Sequence, residues 1–255
     1  MKLTERFNPF RADADPLSAY LADFRIEVDY FTHWPQQDFK TLQNLVSTRI
    51  KLVLQTQGRA DLTAQNEHFL LAPGSVMFIP PYCVYSASTF DHVDSYEVFF
   101  NLHPYAREHG FLQQFGFTRI LHFPQILTPA DTAALMSCYE DVRACRPGCY
   151  AQLRALLHLL LIRLIRLQNT PALPAEYSSR EQYVISRLFE YLEAHLNQPV
   201  HVDRLCAALH VSQSHLYRCS RHVMNCSTQQ LVIRYKLRHA QMLLKNPELS
   251  ISDVA

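Results

Sequence analysis

Tyr217, Arg218, Arg221 and His222 fall, with Ser214, on one face of an amphipathic stretch whose other face carries Leu216, Cys219, Ser220 and Val223. A rotation of about 100° per residue sets these two groups opposite one another on a helix. Guanidinium groups that can grip guanine bidentately, beside a phenol and an imidazole, are the chemistry of a major-groove reader. Ser212, Gln213 and His215 stand at the start of the same helix and complete its DNA-facing set. Arg234, Lys236 and Arg238 follow further on and are assigned to phosphates or to helix packing rather than to bases. Charge supports this reading. Residues 200–245 hold seven Lys and Arg against one acid, Asp203, in a chain whose formal net charge is only +1, so the remainder is acidic. A basic module on an acidic body is the footprint of nucleic-acid binding. The alternative is a helical bundle whose Lys and Arg merely keep it solvated, and the one-sided segregation of charge speaks against it.

The elements that must position this face are a helix, a tight turn and a second helix. Val202, Leu205, Cys206 and Leu209 recur at helical spacing, Val211 and Ser212 form the turn, and Ser212 is a good N-cap for the next helix. A third, longer helix starts at Ser227, where Ser227 and Gln230 have the spacing of a capping box. The segment resembles the DNA-binding domain of the AraC/XylS family of bacterial transcription regulators. The resemblance rests on Leu205-Cys206-Ala207, Val211-Ser212, Leu216, Arg218, Ser227, Lys236, Ala240, Leu243-Leu244 and Ile251-Ser252-Asp253-Val254-Ala255. Two positions depart from the family pattern: Ser220 stands where Phe is usual, and Asn225 where Gly is usual. The family carries two helix-turn-helix units on one long helix. Here Lys245-Asn246-Pro247-Glu248 is a helix stop, Ser250 an N-cap, and Ala255 falls one turn into a second unit, so the expectation is a regulator cut off within that unit.

The rest of the chain reads as a globular protein. Its 255 residues are 48% hydrophobic and 18% charged, and the most apolar run, 153–167, is broken by Arg154, His158, Arg163 and Arg166, so no membrane span is expected. Seven cysteines without a CxxC pair fit a reducing cytoplasm. Cys138, Cys145 and Cys149 cluster loosely and are read as helical thiols rather than a metal site.

From about residue 20 to 100 the pattern is strand-like, with Ile50, Leu52 and Leu54 on one face of one strand and Pro73-Gly74 turning into another that ends at Pro80-Pro81. Short antiparallel strands at this spacing predict a small barrel or jelly roll. The run from Ala72 to Ser86 resembles the cupin domain that forms the sensor half of sugar-responsive AraC-type regulators, although Glu97 stands where the arabinose-binding members place a stacking Trp. A barrel mouth holds small ligands between rings and a few polar groups. The predicted lining is Tyr30, His33, Trp34, Tyr82, Tyr85 and Glu97, with the rings stacking on a sugar and His33 and Glu97 bonding its hydroxyls. No His-x-His pair precedes a Glu, so neither a metal site nor a cofactor is expected, and a metal-dependent cupin enzyme is the least favoured reading.

Thr128-Pro129-Ala130-Asp131 opens a helix running to about Arg143. A second, from about Tyr150 to Gln168, carries Leu153, Leu156, Leu157, Leu160, Leu161, Leu164 and Leu167; this stripe is read as a dimerisation surface, with an intramolecular cover for the sheet as the alternative. Ser178-Ser179-Arg180-Glu181 reads as a capping box for a helix over 181–196. The expected division is 1–125 effector-binding barrel, 126–169 helical dimerisation element, 170–178 linker and 179–255 DNA-binding domain, an α+β chain. With the resemblance, this implies a non-enzymatic, cytoplasmic homodimer whose partners are double-stranded operator DNA, a small-molecule effector and RNA polymerase. A sensor that binds ligand but not DNA is the rival.

Overall fold

The computed structural model describes residues 16–37, 41–64, 67–90, 92–168, 180–224 and 226–244. The expected linker 170–178, the capping residues Ser178 and Ser179, and the start of a second unit at 250–255 lie outside them. Helix α1 (Pro16–Ala22) occupies a stretch read as the edge of the strand region. Nine strands follow: β1 (Arg25–Gln37), β2 (Thr41–Val46), β3 (Ile50–Gln57), β4 (Ala60–Ala64), β5 (Glu67–Leu71), β6 (Val76–Ile79), β7 (Val84–Thr89), β8 (Val93–His103) and β9 (Leu121–Phe123). They form two antiparallel sheets, ordered β1-β8-β3-β6-β9 and β2-β7-β4-β5, as the spacing of short strands and turns predicts. The Pro73-Gly74 turn forms as expected, with Gly74 at φ +89° and its carbonyl accepting the amides of Ile126 and Leu127.

Sheet-side alternation explains where the core sits. Ile50, Leu52 and Leu54 of β3 point away from the second sheet and join Val98, Phe100 and Phe78 in the larger core cluster. That outer face is covered by two helices, α3 (Pro129–Arg143) and α4 (Cys149–Leu167). Leu153, Leu157, Leu160, Leu161 and Leu164 are all buried in this cluster. These five leucines are therefore the chain's own cover for the sheet, the alternative to a dimer contact, while Leu156 is half-buried against the same cluster and Leu167 stays 47% exposed. The stripe is wide because α4 packs on the sheet and on α3 together. Thr128 and Asp131 form the expected capping box, and Arg163 of α4 bonds Asp131 at 2.7 and 3.2 Å, tying the two helices. Those Arg163 bonds, with the bonds from Thr128, hold the Asp131 carboxyl down at about 2 against the opposing effect of burial.

Helix α2 (Tyr105–Gln114) links the barrel to the C-terminal helices α5 (Arg180–Ala194), α6 (Val202–Leu209), α7 (Gln213–Met224) and α8 (Thr228–Leu243). These four close their own core around Ile185, Leu188, Leu192, Leu205, Leu216 and Leu231, each fully buried. Helix α6 ends at His210, which adopts the left-handed conformation, and Ser212 accepts the His215 amide as the predicted N-cap. The Ser227–Gln230 capping box is formed in both directions. The helix expected over 181–196 is observed as Arg180–Ala194. None of the described helices is long and apolar enough to cross a membrane.

Candidate functional site

Helix α7 presents the expected face. Leu216, Cys219 and Ser220 are fully buried, while Ser212, Gln213, Ser214, Tyr217, Arg218, Arg221 and His222 are exposed. His215 is half-buried, because its ring reaches inward to the Cys219 thiol (3.7 Å) while also meeting Arg218 (2.9 Å). Local partners hold the exposed groups. Arg221 donates to the Tyr217 hydroxyl at 3.1 Å, and Gln213 bonds Asp203 of α6. Glu181, in the first turn of α5, bonds His222 and lies 3.7 Å from Arg218; the His222 bond is the largest influence lowering its carboxyl pKa. Ser220, where the family's ring is missing, bonds Thr228 of α8 at 3.0 Å inside the core.

Arg234 and Lys236, further along the chain, do not share this face. Arg234 lies over the Tyr82 ring, 5.5 Å from its centroid, and Lys236 donates to the Gln198 carbonyl. Both are engaged in packing, one of the two roles expected of them. Arg238 lies on α8, and its side chain is outside the described residues.

Between the two sheets is a cavity of about 570 Å³, within the usual range for small-molecule sites. Four of the six predicted lining residues meet there: Tyr30, Trp34, Tyr85 and Glu97. His33 does not. It points to the opposite face of β1, stacks on Tyr96 at 4.4 Å and bonds Asp94 at 3.1 Å. Alternation dictates this, since Thr32 and Trp34 on either side of it face the cavity. Tyr82 is also elsewhere: at φ +68° in the turn after Pro80-Pro81, it lines a second cavity of about 350 Å³ between the barrel and the C-terminal helices. That cavity is walled by Glu108 and His109 of α2, Phe189 of α5, Met224 of α7 and Tyr235 of α8, and Tyr85 belongs to the walls of both. His109 packs on Phe189 with ring centroids 5.5 Å apart, and burial pushes its pKa down to about 4.

Residues that sequence reasoning missed give the barrel cavity its charge. Arg49, just before β3, and Lys51 within it share the inward face with Val53 and Gln55. Arg49 pairs with Asp29, which sits in a β-bulge of β1 that turns its side chain inward to full burial. Lys51 lies 2.8 Å from Glu97 and donates to the Tyr85 hydroxyl at 3.0 Å. Burial alone would lower the Lys51 pKa, but the Glu97 carboxylate and Tyr85 hydroxyl outweigh it and the pKa is raised. The signal for this set was present: placing Ile50, Leu52 and Leu54 on one face puts Lys51 and Gln55 on the other. Among the described residues, no three His, Cys, Asp or Glu side chains converge in an arrangement that could hold a metal ion.

A barrel with a ligand-sized cavity, joined to a helix-turn-helix unit, is the arrangement that the resemblance in the sequence implied. No family model matches the chain. The Msm operon regulatory protein of Streptococcus mutans is 27% identical over 99 residues, 39% of this chain and 35% of that protein. The HTH-type transcriptional regulator GbdR of Pseudomonas aeruginosa is 30% identical over 71 residues, 28% of this chain and 19% of that one. The matched stretch thus spans about a third or less of these relatives. Among solved structures, ToxT of Vibrio cholerae bound to (E)-4-(8-methylnaphthalen-1-yl)but-3-enoic acid superposes with a TM-score of 0.57 at 13% identity, covering 91% of this chain and 88% of that one. ToxT bound to an unsaturated fatty acid gives 0.55 at 10% identity, covering 91% and 84%. At these identities the likeness is one of fold, and it bears out the predicted α+β arrangement of an antiparallel barrel followed by a helical domain.

Proposed function

We propose that the chain is a DNA-binding transcription regulator of the AraC/XylS type, whose grip on DNA responds to a small molecule in the barrel. The observation that carries this reading is the exposed face of α7, where Tyr217, Arg218, Arg221 and His222 stand over a buried Leu216-Cys219-Ser220 side. The first turns of such a helix reach base edges when it enters the major groove. The similarity to two transcription regulators supports it. The carboxylic acids held by ToxT support a small-molecule effector as a class, and the barrel cavity supplies the room for one. Homodimerisation belongs to the same reading. With five of the stripe leucines internal, a dimer would draw on the exposed apolar residues of α4, Leu159 at 64% and Leu167 at 47%.

Fluorescence anisotropy with duplexes selected from a random pool tests the reading. The expected result is enrichment of one sequence, with affinity falling as salt rises by a slope of about 0.9 per phosphate contact. Equal affinity for selected and scrambled duplexes would sink it.

A further inference from the structure

The chemistry of the effector follows from how the barrel cavity settles its own charges; this inference rests on the reading of that cavity as the effector site. Both cations of the inner wall have a carboxylate of their own, Asp29 for Arg49 and Glu97 for Lys51. Arg49 and Lys51 are 9% and 5% exposed, so neither charge is left to water. Asp61, at the rim, meets among the described residues only the largely exposed His68 at 3.7 Å, and its carboxylate adds negative rather than positive charge. Other polar side chains of the wall are engaged as well: Gln55 donates to the Gln57 carbonyl and Thr32 to the Glu97 carbonyl. What the wall offers a ligand is otherwise mostly apolar, chiefly Trp34, Leu45, Val53, Leu62, Leu71 and Phe99, with the small hydroxyls of Ser47, Thr48, Thr89 and Ser95 among them.

A carboxylate entering this space would meet cations already neutralised, and would have to displace Glu97 into an apolar wall. A buried charge without a partner is strongly disfavoured. A polyol would carry hydroxyls around its whole edge, while the groups able to answer them stand at one end. One cluster does have capacity to spare. The Lys51 ammonium has three hydrogens and uses two, on Glu97 and Tyr85, and the second Glu97 oxygen is a further acceptor. We propose that the barrel binds an uncharged, flat, largely apolar compound that directs a single hydroxyl or carbonyl at the Lys51–Glu97–Tyr85 cluster, its ring lying against Trp34 and Phe99.

Three probes of one skeleton test this on the whole chain: 2-naphthol, 2-naphthoate and 2-naphthylmethylammonium at neutral pH, followed by isothermal titration calorimetry. Trp34, the sole tryptophan, reports by its fluorescence whether each probe enters the cavity. The expected result is naphthol binding at least tenfold tighter than either charged analogue, with Trp34 quenched. Naphthoate or the ammonium binding as tightly as naphthol, with Trp34 quenched, overturns the ligand class and leaves the effector site standing. No binding by any of the three, with Trp34 unchanged, overturns both. A Glu97→Gln variant that remains folded provides a second arm. With Lys51 left unpaired, its preference should invert, naphthoate gaining at least tenfold over its affinity for the parent chain; an unchanged order of the probes in this variant counts against the proposal.

Discussion

Ser220 and Thr228 face one another 3.0 Å apart beneath helix α7, joining it to α8 where the domains that the sequence resembles usually have an apolar ring. Both are buried, so the pair satisfies two hydroxyls that water cannot reach. The site is packed for two small polar residues. A ring placed here by Ser220→Phe overfills it and strands Thr228, and should destabilise the helical domain by about 1–3 kcal/mol. Urea unfolding measures this, and an unchanged or raised midpoint would show that the space beneath α7 is larger than its contacts indicate.

Arg218 is 68% exposed at its side chain, 2.9 Å from the His215 ring and 3.7 Å from Glu181. Arg218→Ala should cost about 1–3 kcal/mol at one operator position and relax preference there. Anisotropy on a panel of single-base operator variants gives the answer. A uniform loss across the panel would make Arg218 a phosphate contact instead.

Leu157 and Leu164 are fully buried against the sheet. Leu157→Ala should lower stability by about 2–5 kcal/mol, and Leu157→Glu should leave no folded barrel. Light scattering on folded Leu157→Ala should return the mass of the parent chain. A lighter particle with an unaltered melting temperature would restore this stripe as a dimer contact.

His109 makes the junction between barrel and helices sensitive to acid. Its ordinary value is 6.5 and burial holds it at about 4 in the folded chain, so the unfolded chain takes up the proton first. Its contribution is complete above 6.5 and is lost as pH falls towards 4, about 3 kcal/mol in all. His109→Gln removes the titration, and its urea midpoint should fall less between pH 7 and 5 than that of the parent. Identical pH profiles would assign the acid sensitivity to another group.

Much of this fold was legible because periodicity survives in single strands and helices. The alternation in β3 and the 3.6-residue period of α6 and α7 each name one buried face. What covers a face is a long-range fact. The α4 leucines announced burial, but the sheet that buries them is assembled mainly from β1, β3, β6 and β8, fifty or more positions back in the chain. Helix α2 escaped notice because YAREHGFLQQ holds Gly110 at its middle and only a short apolar pattern. In the candidate site, Glu97 was identified through its resemblance to a stacking position, whereas its partner Lys51 was overlooked in a strand read for its apolar side alone. Tyr82 and Tyr85 look equivalent in sequence, yet Tyr82, in a turn at positive φ, stays out of the barrel cavity that Tyr85 lines.

Tyr85 is common to the walls of both cavities, and the turn just before it carries Tyr82, on which Arg234 rests. In the proposed regulator, an effector pressing on Tyr85 and DNA held by α7, whose Met224 walls the second cavity beside Tyr85, would act on one equilibrium. Whatever factor the effector imposes on DNA affinity, DNA must then impose on effector affinity. Such a regulator is measured equally well from either end: its operator would be detectable as a shift in a titration of the small molecule, with the DNA held constant and never itself observed.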